Sequence, residues 1–151
     1  MQGVLFAVLA GLAAGLAVGL QGPLSSLMSQ RIGPLESTFI IHIGGAILAI
    51  VLIIFLGSGN LGQWRNVPWY ALAAGTLGVL VVTSVSYSIP RLGAGSTVTL
   101  MVVAQLIFSA ILDHNGWLEA PILPFESSRL LGMALLLVGT WLMVARPFAE
   151  V

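Results

Sequence analysis

The side chains best suited to bind a ligand in this sequence are amides and hydroxyls set into long apolar runs. Gln21 and Ser25 are four residues apart, and Gln105 and Ser109 repeat that spacing later in the chain. Residues four apart share a face of a helix, so each pair would present an amide beside a hydroxyl. An amide has donors as well as acceptors, whereas a hydroxyl often bonds to the carbonyl four residues back. Each pair could therefore bind a polar solute or join two helices.

Three further side chains add hydrogen-bonding or proton-transfer chemistry. Tyr87 follows Thr83 by four residues and is predicted to contact the same kind of solute. His42 lies inside an apolar run, and an imidazole exchanges protons near neutral pH. Glu36 stands at the beginning of that run and could take part in proton coupling with His42. The alternatives are a histidine that bonds to a neighbouring helix and a carboxylate that stabilises a helix N-terminus.

Several other kinds of chemistry find no support in the sequence. The chain has no cysteine, which excludes disulfides, thiolate metal ligands and cysteine nucleophiles. Asp113 and His114 place an acid beside an imidazole, but two adjacent residues alone do not define a metal or acid–base site. The sequence shows no metal-ligand cluster, nucleophile triad or phosphate-binding glycine loop. We therefore predict neither enzyme activity nor a bound metal or cofactor.

The elements that carry these residues are predicted to be transmembrane helices. Hydrophobic residues make up 58% of the chain and charged residues 7%, against about 25% charged residues in soluble domains. A membrane-spanning helix needs about 20 apolar residues, and the sequence does not show the alternation of β-barrel strands. We predict an all-α integral membrane bundle, one domain over residues 1–151, in the cell's inner membrane. Its five helices are predicted at residues 3–28, 37–56, 68–89, 93–112 and 129–145.

Small residues mark one stripe of the first predicted helix. Gly11, Gly15 and Gly19 recur every four residues. Such a stripe lets helix backbones approach closely in lipid, so we predict that it packs against another helix.

A polar stretch follows that stripe. Pro23 removes the N–H that would bond to the Gly19 carbonyl, so we expect a kinked, cavity-facing last third of the helix, with a frayed end as the alternative. If the helix begins at the membrane surface near Gly3, Gln21 is about 27 Å along it, in the far leaflet rather than at the midplane.

The arginines give little indication of orientation. With five spans and a cytoplasmic N-terminus, the inner loops hold Arg65 and Arg129, and the outer side holds Arg31, Arg91 and Arg146. The usual excess of positive charge on the inner side is missing. The protein could have a fixed orientation with a weak signal, or it could insert both ways and pair as an antiparallel dimer. An odd-span unit paired with an inverted copy gives the inverted repeat of many secondary transporters.

Short motifs in a recognisable order cover nearly the whole chain. They are Gln21, Arg31-Ile32-Gly33, Val67-Pro68-Trp69-Tyr70, Gly75-x-x-Gly78, Pro90-Arg91-Leu92-Gly93-Ala94, Gln105 and Leu112-Asp113-His114-x-Gly116. In combination they resemble the five-helix YdcZ-type family (DUF606) of the drug/metabolite transporter (DMT) superfamily. The resemblance implies a half-transporter that occurs as a dual-topology homodimer, as paired oppositely oriented genes, or as a fused ten-helix chain.

The sequence departs from that group at two positions. The small multidrug exporters of the superfamily rely on a glutamate inside helix one, and here that helix has no carboxylate. Ser25 stands where the family pattern has asparagine. The resemblance therefore does not imply proton-coupled export of cationic drugs by the glutamate route.

These observations together predict a transporter that moves a small polar or amphipathic solute by alternating access. The predicted solute ligands are Gln21, Ser25, Tyr87, Gln105 and Ser109. The expected partners are the solute, the lipid bilayer, and a second copy or a homologous half. With five arginines and no lysine, nothing indicates nucleic acid. The alternative is a non-transporting membrane subunit that anchors or regulates a partner complex and needs no solute cavity.

Overall fold

Helices joined by short connections make up residues 2–145, the part of the chain that the computed structural model describes. The α-helices are α1 (Gln2–Ile32), α2 (Pro34–Leu56), α3 (Trp69–Leu72), α4 (Ala74–Leu92), α5 (Ala94–Asn115) and α6 (Ser127–Val144). Two 3₁₀-helices, Leu61–Asn66 and Trp117–Glu119, lie in the longer connections. This part of the chain contains no strand. Arg146, counted above, lies outside the described residues.

Five helical spans within residues 2–145 are long and apolar enough to cross a membrane. They are α1, α2, α3 together with α4 (Trp69–Leu92), α5 and α6. The predicted all-α membrane fold is confirmed. The helices extend beyond the predicted apolar runs because a helix continues as long as its backbone hydrogen bonds do, and hydropathy does not report on those bonds.

The polar end of α1 is helical to Ile32, so the alternative of a frayed end is wrong. Pro23 lies inside the helix without ending it. One residue, Gly33, then separates α1 from α2. Its N–H donates to the Ser29 carbonyl, and its own carbonyl accepts from Ser37 N–H. Gly33 has φ +101°, a conformation that is costly for any residue with a Cβ.

The chain divides into two compact units at the end of α4, between Arg91 and Leu92. The first unit contains α1 to α4, and the second contains α5 and α6. The expectation of a single domain over residues 1–151 stays a prediction.

In the first unit, α1 and α2 form an antiparallel hairpin around Gly33. Helix α4 joins the hairpin near the turn, where Gly22 faces Ile89 and Val85; a Cβ on Gly22 would lie 3.1 Å from Ile89 Cδ1. The predicted glycine stripe makes no such contact with α4. Within this unit, no described side chain comes within 4 Å of where a Cβ would stand on Gly11, Gly15 or Gly19. The predicted packing of the stripe is therefore not formed inside the first unit.

The hairpin also changes the depth expected for Gln21. Gln21 lies twelve residues before Gly33 and Gly45 lies twelve residues after it, so the two are level in an antiparallel pair. Gly45 is the middle residue of α2. The 31 residues of α1 would measure about 46 Å, longer than a hydrocarbon core of about 30 Å. Gln21 is therefore near the middle of the hairpin's length rather than near its end, because α1 continues past the polar stretch to Ile32.

In the second unit, α5 and α6 are joined by a loop that folds back on the end of α5. Gly116 caps α5 with φ +63° and donates its N–H to the Leu112 carbonyl. Leu123 N–H donates to the Asp113 carbonyl at 2.9 Å. The Arg129 guanidinium donates to the Asp113 carboxylate at 2.5 Å, which ties the start of α6 to the end of α5.

Candidate solute-binding site

Hydroxyl pairs connect α4 to both arms of the hairpin. The hydroxyls of Ser25 on α1 and Ser86 on α4 are hydrogen-bonded to each other. Thr38 on α2 lies 3.0 Å from Thr83 on α4, oxygen to oxygen. The Thr38 hydroxyl donates to the Pro34 carbonyl at 2.8 Å, so in the second pair it accepts from Thr83. Ser25 and Thr38 are each 2% exposed. Ser25, a predicted solute ligand, is thus engaged in a contact between helices.

His42 lies one turn beyond Thr38 on α2 and is half-buried. Its Nδ1 is 2.8 Å from the Thr38 carbonyl oxygen. A carbonyl can only accept a hydrogen bond, so Nδ1 carries the hydrogen, and in the neutral ring Nε2 is left with the lone pair. Nε2 faces α4 at Gly78, where an added Cβ would lie only 3.1 Å away. Nε2 is therefore the nitrogen without a hydrogen-bond partner on its own helix, and Gly78 provides the space for it.

The two mid-span amides differ from the hydroxyls because they are exposed. Gln21 precedes Ser25 by one turn on α1, and Gln105 is at the middle of α5 in the second unit, followed one turn later by exposed Ser109. Neither amide takes part in the hydrogen bonds that the described side chains form. An unpaired amide in hydrocarbon costs several kcal/mol, on the order of 2–7. Both amides therefore need water, a solute or another chain as a partner.

Glu36 and Tyr87 meet in an open groove of about 600 Å³ at the end of the first unit. Its lining comes from the start of α2 and the last turns of α4: Pro34, Leu35, Glu36, Thr83, Ser84, Tyr87 and Ser88. The Arg91 guanidinium carbon is 3.5 Å from the centre of the Tyr87 ring, and its Nη1 donates to the Tyr87 carbonyl at 2.7 Å. A cation at that distance over an aromatic face is stabilised by it. The groove thus combines a carboxylate, three hydroxyl side chains and an arginine-covered tyrosine.

Comparison with known proteins identifies the family of membrane proteins to which this chain belongs. The model of the family described as "Putative inner membrane exporter, YdcZ" matches residues 6–142. The chain belongs to the YdcZ family. The inner membrane protein YdcZ of Escherichia coli (strain K12) is 31% identical over 110 residues, which are 69% of this chain and 70% of that protein. No solved structure matches the chain. The resemblance and the inner-membrane location expected from the sequence are confirmed, and the family is one of membrane transport.

Of the predicted site residues of this YdcZ-family chain, the structure brings Glu36 and Tyr87 together in the groove. Ser25 and Gln21 are on α1 of the first unit, with His42, Glu36 and Tyr87 on its other helices. Gln105 and Ser109 are on α5 of the second unit. The roles assigned to all of these residues as solute ligands or proton carriers stay predictions.

Sequence reasoning missed the partners of the predicted residues. Ser86 bonds to Ser25 across 61 positions, and no local pattern marks two residues so far apart as a pair. Arg91 could have been found, because it follows Tyr87 by four residues and side chains at that spacing meet on a helix surface.

Asp113 and His114, considered above as a metal or acid–base pair, hold the loop of the second unit in place. Asp113 pairs with Arg129, and the His114 ring stacks on Phe125 at 4.6 Å between centres. Among the described residues, no group of three or more histidine and acidic side chains could hold a metal ion.

Proposed function

We propose that this YdcZ-family protein is half of an alternating-access transporter for a small polar or amphipathic solute, and that it works as an antiparallel dual-topology homodimer. Solute moves along a path to which Gln21, Ser25, Tyr87, Gln105 and Ser109 contribute. His42 and Glu36 are the residues placed to couple this movement to protons.

The observation that carries the proposal is the exposed amide at the middle of α5. Gln105 is at the centre of the 22-residue helix α5, the part of a spanning helix that crosses the middle of the bilayer. Polar side chains at this depth are rare and mark solute or ion pathways. A subunit that served only as an anchor would be more stable with an apolar side chain at this position.

The proton-coupling part of the proposal draws on the geometry of His42. Nδ1 is held by the Thr38 carbonyl, which fixes the ring and directs Nε2 towards α4. Nε2 can then gain or lose a proton without loss of the Nδ1 bond. Glu36 lies in the first turn of the same helix and lines the groove beside Tyr87, where it is open to exchange with water.

The test compares two glutamine-to-leucine variants in detergent-purified protein. A thermal-shift screen of small polar and amphipathic compounds identifies a ligand, since a ligand that binds only the folded state raises the apparent stability. We expect Gln105→Leu to remain folded but to lose both the ligand-induced shift and uptake of that compound into proteoliposomes. Gln63→Leu, the same change in the 3₁₀-helix outside the spans, should keep both. Unchanged uptake in Gln105→Leu would contradict the proposal and favour a scaffold.

A further inference from the structure

The fully buried residues of the first unit lie towards the end that contains Gly33. No residue is fully buried in the stretches 2–21, 39–56 or 74–85, which belong to α1, α2 and α4. The buried residues of these helices are all at the other end: Gly22, Ser25, Ser26, Ser29, Ser37, Thr38 and Ser86. Burial in the three helices is therefore concentrated at one end, and the contact of His42 on α2 with Gly78 on α4 lies one turn beyond Thr38.

The opposite end has a surface suited to packing that packs against nothing in this unit. Gly15 precedes Gly22 by seven residues and Gly11 precedes it by eleven, about two and three helical turns. Both glycines therefore share the face by which Gly22 contacts α4. A Cβ on Gly22 would touch Ile89, yet one on Gly11 or Gly15 would meet no atom of the unit within 4 Å. Along this face α1 and α4 are in contact at one end and apart at the other.

We propose that these two ends are the two gates of the transporter half. The first gate is the hydroxyl clasp, defined as the pairs Ser25–Ser86 and Thr38–Thr83, and it is closed in this structure. The second gate is the glycine face, Gly11 and Gly15, and within the first unit it is open. In the other state the clasp separates and the glycine face closes on α4. The inference rests on the proposed transport function, because a gate has a role only in a protein that moves a solute.

The side chains at the two gates suit a reversible movement. Hydrogen bonds between membrane helices are individually weak, and small hydroxyl side chains separate without releasing an interlocked apolar core. At the other gate, glycines allow backbones to approach closely. Gln21 and His42 lie within about a turn of the clasp, on α1 and α2. A solute that enters at the open end would meet these polar groups where the closed gate stops it.

Single-cysteine labelling measures the two gates directly, since the natural chain has no cysteine. Gly15→Cys and Ser29→Cys are made separately, and proteoliposomes carry a membrane-impermeant maleimide on both sides. We expect the thiol at position 15 to react readily and the one at position 29 to react slowly. Equal reactivity, or a less reactive thiol at position 15, would overturn the proposal, because a face covered by lipid or by a second copy gives that result.

Two further substitutions, each made in the Ser29→Cys background, test whether the clasp opens. Ser25→Ala removes one clasp bond and should raise the labelling rate about threefold. Ser37→Ala is the matched control, because Ser37 is buried beside the clasp but its hydroxyl donates only to the Pro34 carbonyl of its own helix. The labelling rate at position 29 should not change in this variant. Equal acceleration by both variants would indicate general loosening and overturn the clasp.

Gly15→Leu, also made in the Ser29→Cys background, should lower the labelling rate at position 29, whereas Ser25→Ala should raise it. A bulky side chain on the glycine face obstructs closure of the second gate, so the clasp stays closed and labelling at position 29 falls below that of the parent. If neither Ser25→Ala nor Gly15→Leu changes labelling at position 29, the clasp is static and the gate proposal is wrong. Labelling needs no solute, so that result leaves the ligand-binding test of Gln105 standing.

Discussion

At the scale of single residues, the candidate site depends on positions where a small residue leaves space for a neighbouring side chain. Ser25 is small enough to reach Ser86, and Gly78 lacks the Cβ that would press on His42 Nε2. Composition shows that such small residues are plentiful, with 18 glycines in the chain. It does not show which of them faces a functional group, because that depends on the register of two helices distant in sequence.

Gly78→Ala should disturb His42, and Gly75→Ala should not. A Cβ at position 78 would stand 3.1 Å from Nε2, whereas at position 75 it would meet nothing within 4 Å. We expect Gly78→Ala to be less stable than Gly75→Ala by about 1–3 kcal/mol, the usual cost of overpacking. Thermal unfolding in detergent measures this difference, and ¹⁵N chemical shifts of labelled histidine report whether the Nδ1 bond survives. Equal stability and identical shifts would contradict the assignment of Gly78.

At the scale of elements, the sharp connection between α1 and α2 positions most of the candidate site. A single residue, Gly33, turns the chain, and the two helices then bring Ser25 and Thr38 to the same end. The Glu36 carboxylate lies against the Gly33 Cα, in space that a Cβ would need. The backbone conformation therefore requires glycine, whereas the flexible Glu36 side chain can move away from a Cβ.

Gly33→Ala should lower stability by about 1–3 kcal/mol, the cost of holding a residue with a Cβ in this region of φ and ψ. The control is Gly59→Ala in the connection after α2, where a Cβ meets nothing within 4 Å. Chemical or thermal unfolding in detergent gives the comparison. The double variant Gly33→Ala/Glu36→Ala, compared with Glu36→Ala alone, tests the cause: if the two were equally stable, the Glu36 contact and not the backbone would be responsible.

At the scale of the whole molecule, the distribution of arginines connects to assembly. Arg31 lies in the last turn of α1 and Arg91 in the last turn of α4. The Ser25–Ser86 pair brings these two helix ends to the same end of the first unit. Two of the five arginines are therefore on one side of the membrane in any one copy. Arg65 and Arg129 fall on the other side by the count of spans, which leaves little charge bias to fix an orientation.

Asn60→Cys and Ala120→Cys, made one at a time, test dual topology. With five spans the two loops lie on the same side, so in a fixed orientation each thiol is either fully accessible or fully protected in intact cells. We expect an impermeant maleimide to label roughly half of each variant before lysis and all of it afterwards, as balanced arginines imply. Labelling from one side only would contradict the dual-topology dimer.

Adding Arg31→Gln and Arg91→Gln to either variant provides the positive control for orientation. Removal of both arginines leaves only Arg146 on their side against Arg65 and Arg129 on the other, and the side with two arginines should become cytoplasmic. Labelling of intact cells should then fall towards zero. A mixed orientation that persists in this variant would show that loop charge does not determine the topology.

The sequence by itself determined the membrane class, the number of spans, the family and the identity of most polar candidates. These follow from composition and local pattern: apolar runs of spanning length, residues at i and i+4, and short motifs in a fixed order. The sequence did not show that α1 continues past Gln21 to Ile32, because hydropathy marks where apolar residues stop, not where backbone hydrogen bonds stop. Only the tertiary structure decided that Ser25 bonds to Ser86, that Gly78 accommodates His42, and that the glycine stripe is open within its unit. Each of these depends on the register between helices far apart in sequence, which small side chains leave unspecified until the helices pack.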